Sequence, residues 1–232
     1  MGLYWPHMPS QAAVHVLPIL ARFACAAFLF LGTAPATAQP GAAGAPGDTA
    51  VAAVLDPDTR LLRAAMQGQG SEVTQALAAG ASLEATTDSG VTPLSVAALH
   101  GHVDIVTALA NAGANVSATD NTGATPLMFA AAQGHSRVLE ALVSRGADAN
   151  AKDKGGITAL MAAASSGRVD AARVLLDKGA DANATDSQGT SALMAAAFGG
   201  HSAVGTLLLS RGANPNSRDQ SGRTALMATA LS

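Results

Sequence analysis

From residue 58 onward, apolar residues recur in short groups separated by polar turns that contain glycine. In the stretch 90–120, Leu94, Ala97 and Ala98 follow the i, i+3, i+4 spacing of one face of a helix. A helix this short and this rich in alanine needs neighbours to bury its apolar side. The pattern therefore predicts a short amphipathic helix that packs against others.

The residues at the two ends of this helix favour helix initiation and helix termination. Thr92 is a good N-cap, and Pro93 fits the first helical position because its missing N–H has no partner there. Gly101 predicts the C-terminus, since a left-handed residue is least costly as glycine. The helix is expected to run between Thr92 and Gly101.

A second helix is predicted directly after the first and ends at Gly113. Its predicted inner face consists of Val103, Val106 and Leu109. An extended return follows, in which Asp120 is placed to bond the backbone of the turn before Gly123. One unit is thus two short helices and a turn.

The same unit is repeated along the chain at a constant interval. Three series of glycines share this period: 68, 101, 134, 167 and 200; 80, 113, 146, 179 and 212; and 90, 123, 156, 189 and 222. Two short helices cannot bury both of their faces alone, whereas stacked neighbours can, so the period predicts a solenoid. On this register Leu142 and Leu175 occupy one buried position of the second helix in two central units.

The repeated motifs T-P-L-x-x-A-A, G-H and G-A-D/N-x-N-A appear as TPLSVAALHGH, TPLMFAAAQGH, TALMAAASSGR and SALMAAAFGGH, followed by GANVSA, GADANA, GADANA and GANPNS. Over residues 58–232 the chain resembles the ankyrin repeat family. The resemblance implies an all-α repeat solenoid of helix-turn-helix units joined by β-hairpin-like turns. The units are 58–86, 87–119, 120–152, 153–185, 186–218 and a partial unit, 219–232.

The N-terminal part of the chain, residues 1–57, has a different character. Arg22 precedes the apolar run 23–32, and Ala36-Thr37-Ala38 matches an A-x-A cleavage pattern. This predicts a signal peptide over 1–38, followed by a flexible Ala/Gly/Pro linker over 39–57. The chain is therefore expected to be exported, to the periplasm or beyond the cell. The alternative is an uncleaved segment that anchors the chain in a membrane.

Charge and composition exclude several classes of function. The formal net charge is −3 and no Lys/Arg run occurs, which argues against a nucleic-acid partner. The single cysteine, Cys25, lies in the apolar run, so the mature chain would have no thiol. Serines and aspartates recur with the turns rather than in catalytic combinations. We expect no enzyme, no cofactor and no membrane association of the mature chain.

Two columns of equivalent residues raise the question of metal binding. One column consists of Ser95, Met128, Met161, Met194 and Met227; the other consists of His102, His135, Arg168 and His201. Thioethers suit Cu(I), but methionine is also a flexible filler between packed helices, which is the interpretation we favour. Histidines on stacked helices lie too far apart to share a zinc ion, so a surface hydrogen-bonding role is expected.

The family resemblance implies a non-enzymatic module that binds a protein partner through a concave face of turn tips and first helices. Matched to the motifs, the partner-binding residues are Val91, Leu99, His100, Asn121, Thr122, Gln133, Lys152, Lys154, Ile157, Ser187, Gln188 and Phe198. Leu99, Ile157 and Phe198 are the candidate apolar anchors, the alternative being that they pack inside the stack.

The remaining alternatives concern assembly and role. A monomer is expected, with self-association through 219–232 as an alternative, because that partial unit docks on 186–218 without a polar outer surface. The competing function is a structural, accessory or stress-related periplasmic factor that buffers soft metals through the Met and His columns.

Overall fold

The structure of the chain, a computed structural model, describes residues 56–229. The predicted signal peptide, nearly all of the predicted linker and the last three residues of the partial unit lie outside these residues. The helices within them are α1 Pro57–Gln67, α2 Gly70–Ala78, α3 Pro93–His100, α4 Val103–Asn111, α5 Pro126–Gln133, α6 Ser136–Ser144, α7 Ala159–Ser165, α8 Val169–Asp177, α9 Ala192–Phe198, α10 Ser202–Ser210 and α11 Ala225–Thr229.

Each full unit contributes one odd-numbered and one even-numbered helix, as the period predicted. Thr92 begins α3, and its hydroxyl oxygen accepts a hydrogen bond from the N–H of Ser95 at 3.2 Å. Thr125, Thr158 and Ser191 cap α5, α7 and α9 in the same way. Gly101 follows α3 with φ 77°, the left-handed conformation predicted for it. The predicted boundaries of this helix are therefore confirmed.

The odd helices form one row of the stack and the even helices form a second. Neighbouring odd helices pack against each other more extensively than neighbouring even helices do. Alanines such as Ala130 and Ala131, both fully buried, allow this close approach. Because one row is packed more closely than the other, the stack curves, with the odd helices on its inner side.

Burial differs between the two rows. The prediction of one apolar stripe understates α3, in which every residue from Pro93 to Leu99 is buried, because an odd helix is covered by odd helices on both sides and by its own partner. The even helices are amphipathic as predicted. In α4, however, Ile105 is buried and Val103 is only half-buried, a shift of the predicted inner face.

Hydrogen bonds from the histidine column link each unit to the one before it. His102 Nε2 lies 3.0 Å from the carbonyl oxygen of Met66, and His201 Nε2 lies 3.1 Å from that of Ser165. Where the column holds Arg168, its Nε donates to the carbonyl of Ala132 at 3.3 Å. The predicted hydrogen-bonding role of this column is confirmed.

A second set of bonds joins the loops behind the even helices. Asn150 donates to the carbonyl of Gly179 at 3.0 Å and accepts from the N–H of Asp181 at 2.8 Å. Asn183 makes the equivalent pair of bonds to the next unit. Ser117 occupies this position one unit earlier and is too short to reach, so within residues 56–229 this joint lacks the asparagine bridge.

The partial unit docks as predicted. Helix α11 packs on α9 through Ala225 and Ala228, which are buried. Leu226 is 80% exposed and Met227 is 49% exposed on its other side. This end of the described stack is therefore apolar.

Extended pairing is minimal in the part of the chain that the structure describes, where one isolated bridge joins Thr185 and Ser191. The described helices are also too short and insufficiently apolar for any of them to cross a membrane.

Candidate functional site

Four of the five described turns between units are closed by one aspartate, as predicted from Asp120, and the first holds Thr87 at this position. The Oδ1 atom of Asp120 accepts from the N–H groups of Thr122 and Ala124, both at 2.8 Å. Asp153, Asp186 and Asp219 do the same in the following turns. The carboxylate satisfies two backbone donors that would otherwise point into the turn, so these tips share the same shape.

The tips are also bonded to one another. The N–H of Asn121 donates to the carbonyl of Ser89 at 2.9 Å, and the N–H of Lys154 donates to that of Thr122 at 3.0 Å. The series continues from Ser187 to Gly155 and from Gln220 to Gln188. Gly123 permits this contact, because a Cβ there would lie 2.9 Å from the Lys154 nitrogen. The turns therefore form one continuous ladder.

Side chains strengthen the ladder. Asn121 donates to the carbonyl of Asp88 at 3.0 Å, and the Lys154 ammonium donates to the carbonyl of Asn121 at 2.9 Å. Gln220 donates to the carbonyl of Ser187 at 2.9 Å. These long polar side chains lie along the ladder, with their outer surfaces exposed.

Most of the polar residues predicted to bind a partner lie exposed on this inner side. The set that is exposed consists of His100, Asn121, Thr122, Lys152, Lys154, Ser187 and Gln188. Gln133 is half-buried at the end of α5. These eight residues together are called the tip strip below.

The apolar anchors are placed differently from the prediction. Leu99 is 5% exposed and Ile157 is 4% exposed, so the expectation that they project from the surface is wrong. Val91 is buried as well. The side chain that follows each turn points down onto the odd helices, and the last turn of α3 is covered by its neighbours. The alternative that Leu99 and Ile157 pack inside the stack is therefore correct.

Phe198 is half-buried, and its cover comes from the partial unit. The Arg223 guanidinium lies 5.4 Å from the centre of the Phe198 ring and bonds Asp219 at 2.8 Å. Burial alone would raise the pKa of Asp219. The pKa is nevertheless below its usual value, because the carboxylate accepts hydrogen bonds from the backbone N–H and guanidinium of Arg223 and from the N–H of Ser221. The sequence pattern did not single out Arg223. This residue occupies the same position in its turn as Thr190 does in the preceding turn.

The model of the family described as ankyrin repeats (3 copies) matches residues 61–153 and 146–219. The chain belongs to the ankyrin repeat family. No curated protein matches the chain. Ankyrin repeats are generally modules for protein–protein interaction, and the family is typically non-enzymatic.

The exposed charges of this ankyrin stack are unevenly distributed along the inner side. Lys152, Lys154 and Arg218 are exposed in its second half, and each donates to a backbone carbonyl. Asp88 is the exposed charge at the tip of the second unit. The exposed cations Lys152 and Lys154 of the tip strip, and Arg218 beside it, thus lie in turns that also hold the bonded carboxylates of Asp153 and Asp219.

His100, the last residue of α3, lies in the first half of the tip strip. Its ring stacks on that of His102, with ring centres 6.1 Å apart and planes inclined by 20°. Desolvation lowers the pKa of His100 below its usual value, and the nearby His102 and His135 lower it further.

The columns considered for metal binding have structural positions in this ankyrin stack. Met128, Met161 and Met194 are buried between units, which supports their role as apolar filler. Across residues 56–229, no three His, Cys, Asp or Glu side chains lie close enough together to hold a metal ion.

Proposed function

We propose that this ankyrin repeat protein is exported and binds a protein partner through the tip strip. The observation that carries the proposal is the ladder between turns, with Asn121, Lys154 and Gln220 bonded to the preceding tips. Side chains that are already held in place lose little conformational freedom when a partner binds. A row of prepositioned polar groups is therefore a favourable surface for recognition.

The chemistry of the strip indicates how it would hold its partner. Amide, hydroxyl and ammonium groups predominate, and the apolar candidates Leu99 and Ile157 are inside the stack. Hydrogen bonds and charge, rather than an aromatic or aliphatic anchor, would supply the specificity. Lys152, Lys154 and Arg218 would favour acidic groups of the partner in the second half of the strip.

Matched charge reversals test the strip. The double variant Lys152→Glu, Lys154→Glu should lose capture of the partner that crosslinks to the tagged wild-type chain. The control is Arg145→Glu, Lys178→Glu, which reverses two exposed cations at the ends of the even helices α6 and α8. Both doubles should unfold like the wild type, since exposed side chains contribute little to stability. Loss of capture in the control alone would place the binding surface on the outer row.

Export is tested separately by the mass of the mature chain. Cleavage after Ala36-Thr37-Ala38 would leave Gln39 as the N-terminus. The intact mass of the exported protein is expected to lack residues 1–38. A species that retains Met1 in the membrane fraction would contradict cleavage and favour the anchored alternative.

A further inference from the structure

Three imidazoles lie close together at the end of α3. The ring of His100 stacks on the ring of His102, with centres 6.1 Å apart. His135, from the next unit, bonds the carbonyl of Leu99, the residue directly before His100. In the other units the position of His100 is occupied by Gln67, Gln133, Ser166 and Gly199. No other unit can therefore form this histidine pair.

Two of the three rings are fixed in place. The Nε2 atom of His102 lies 3.0 Å from the carbonyl oxygen of Met66, and because a carbonyl can only accept, this nitrogen carries the proton and donates it. The same ring lies so close over Gly68 that an added Cβ would come within 2.8 Å of it. His135 is held in the same way over Gly101. Protonation of either ring adds a proton at Nδ1 and leaves the Nε2 bond intact, so both rings keep their positions.

The ring of His100 is held less firmly. It is exposed, and within residues 56–229 no hydrogen bond fixes it, so its position depends on the stack with His102. Desolvation lowers the pKa of His100, and the nearby His102 and His135 lower it further. A charged His100 is therefore more stable if its ring leaves the stack and enters water.

The charged groups around α3 do not offset this effect. Helix α5 has no ionisable residue. The charged residues of the other adjacent helices are Asp58, Arg60 and Arg63 of α1, Asp104 of α4, and Arg137 and Glu140 of α6. Those of α1 lie in its first two turns, whereas the histidines meet its end at Met66. The charges that act on His100 are those of His102 and His135, so among the described residues a protonated His100 gains no carboxylate partner in the stack.

We propose that the His100–His102 stack is a pH-sensitive contact that opens in mild acid. At neutral pH both rings are uncharged, and their 6.1 Å separation is typical of a stacked aromatic pair. In acid, imidazoles become cations, and two like charges then face each other. His102 keeps its bond to Met66, whereas His100 has no such bond and moves out into solvent. The tip strip thus has two surfaces at this position, a neutral stacked ring and a solvated cation, and pH selects between them.

NMR of the histidine rings in the full-length chain, from about pH 8 to about pH 5, tests the contact without any partner. The ring protons of His100 and His102 should shift each other's signals at neutral pH. They should lose this ring-current effect as His100 titrates, below the ordinary value of about 6.5. His102→Gln introduces the residue type found at position 69 and removes the stacked ring, so His100 should titrate closer to the ordinary value. His201→Gln, the equivalent change in the unit 186–218, is the control and should leave the titration of His100 unchanged.

Two results would overturn the proposal. Ring-current effects that persist after His100 has titrated mean that the stack does not open. A titration of His100 that is the same in His102→Gln means that the stack does not control its charge. Thermal unfolding checks the fold of His102→Gln. If that variant does not fold, His100→Gln gives the reverse measurement: the His102 signals should lose the step at which His100 titrates in the wild type, and a step that remains would contradict the proposal equally.

Discussion

The ring of His135 joins two neighbouring units by contacting the end of α3. Its Nε2 lies 3.1 Å from the carbonyl oxygen of Leu99. The same ring lies over Gly101, where an added Cβ would come within 2.7 Å of it. Glycine is thus required at 101 for two reasons, a φ of 77° and the closeness of the ring.

Gly101→Ala should therefore destabilise the stack more than Gly113→Ala does. Gly113 has a φ of 100° but no atom within 4 Å of an added Cβ. The left-handed conformation alone costs a non-glycine residue about 1–2 kcal/mol, and only Gly101→Ala adds the clash with His135. Urea unfolding of the two variants measures the difference. Equal losses would mean that the ring moves aside freely.

Leu142→Ala and Leu175→Ala should each lower the free energy of unfolding by about 2–5 kcal/mol. Both side chains have no exposed surface, and they occupy equivalent positions in α6 and α8. Arg173→Ala, an exposed change on α8, is the control and should stay within about 0.5 kcal/mol of wild type. A loss below about 1 kcal/mol in either leucine variant would contradict the packing of the even helices.

Ile157→Glu and Lys154→Glu change neighbouring positions of the same turn and should behave in opposite ways. Ile157 is buried, so a carboxylate there leaves an unpaired charge in the stack and lowers the unfolding midpoint strongly. Lys154 is exposed, so Lys154→Glu should keep the fold and affect partner capture instead. Circular dichroism melts of both variants decide this. A stable Ile157→Glu would return Ile157 to the surface.

The stability of the fold should decrease in mild acid, and His100 should contribute to the decrease. Its pKa is lowered in the folded state, so the unfolded chain binds more protons below the ordinary histidine pKa of about 6.5. The contribution of His100 is complete above that pH and is lost progressively as the pH falls towards the folded pKa. His100→Gln should show a shallower decrease in the unfolding free energy over this interval. An identical pH profile would exclude the role of His100.

The fold follows from the sequence because the constraint that sets it is repeated. Gly101 and Thr92 mark the ends of a helix by local backbone chemistry, and the constant period carries this signal through the stack. The exposure of Leu99 depends instead on how closely neighbouring odd helices approach, which no local pattern encodes. The cover of Phe198 by Arg223 is likewise a contact between units. The sequence therefore predicts the polar part of the tip strip better than its apolar part.

Ser117 makes the joints of the stack unequal in the hydrogen bonds that span them. The tips and the His135 bond hold the units 87–119 and 120–152 together along the inner side. Behind the even helices, the asparagine bridges at 150 and 183 tie the later joints on the outer side as well. The joint at Ser117 lacks this tie, but its even helices, α4 and α6, pack against each other more extensively than the other neighbouring even helices do. The outer row is therefore joined by different means along the stack, by helix packing at Ser117 and by additional asparagine bonds at the later joints.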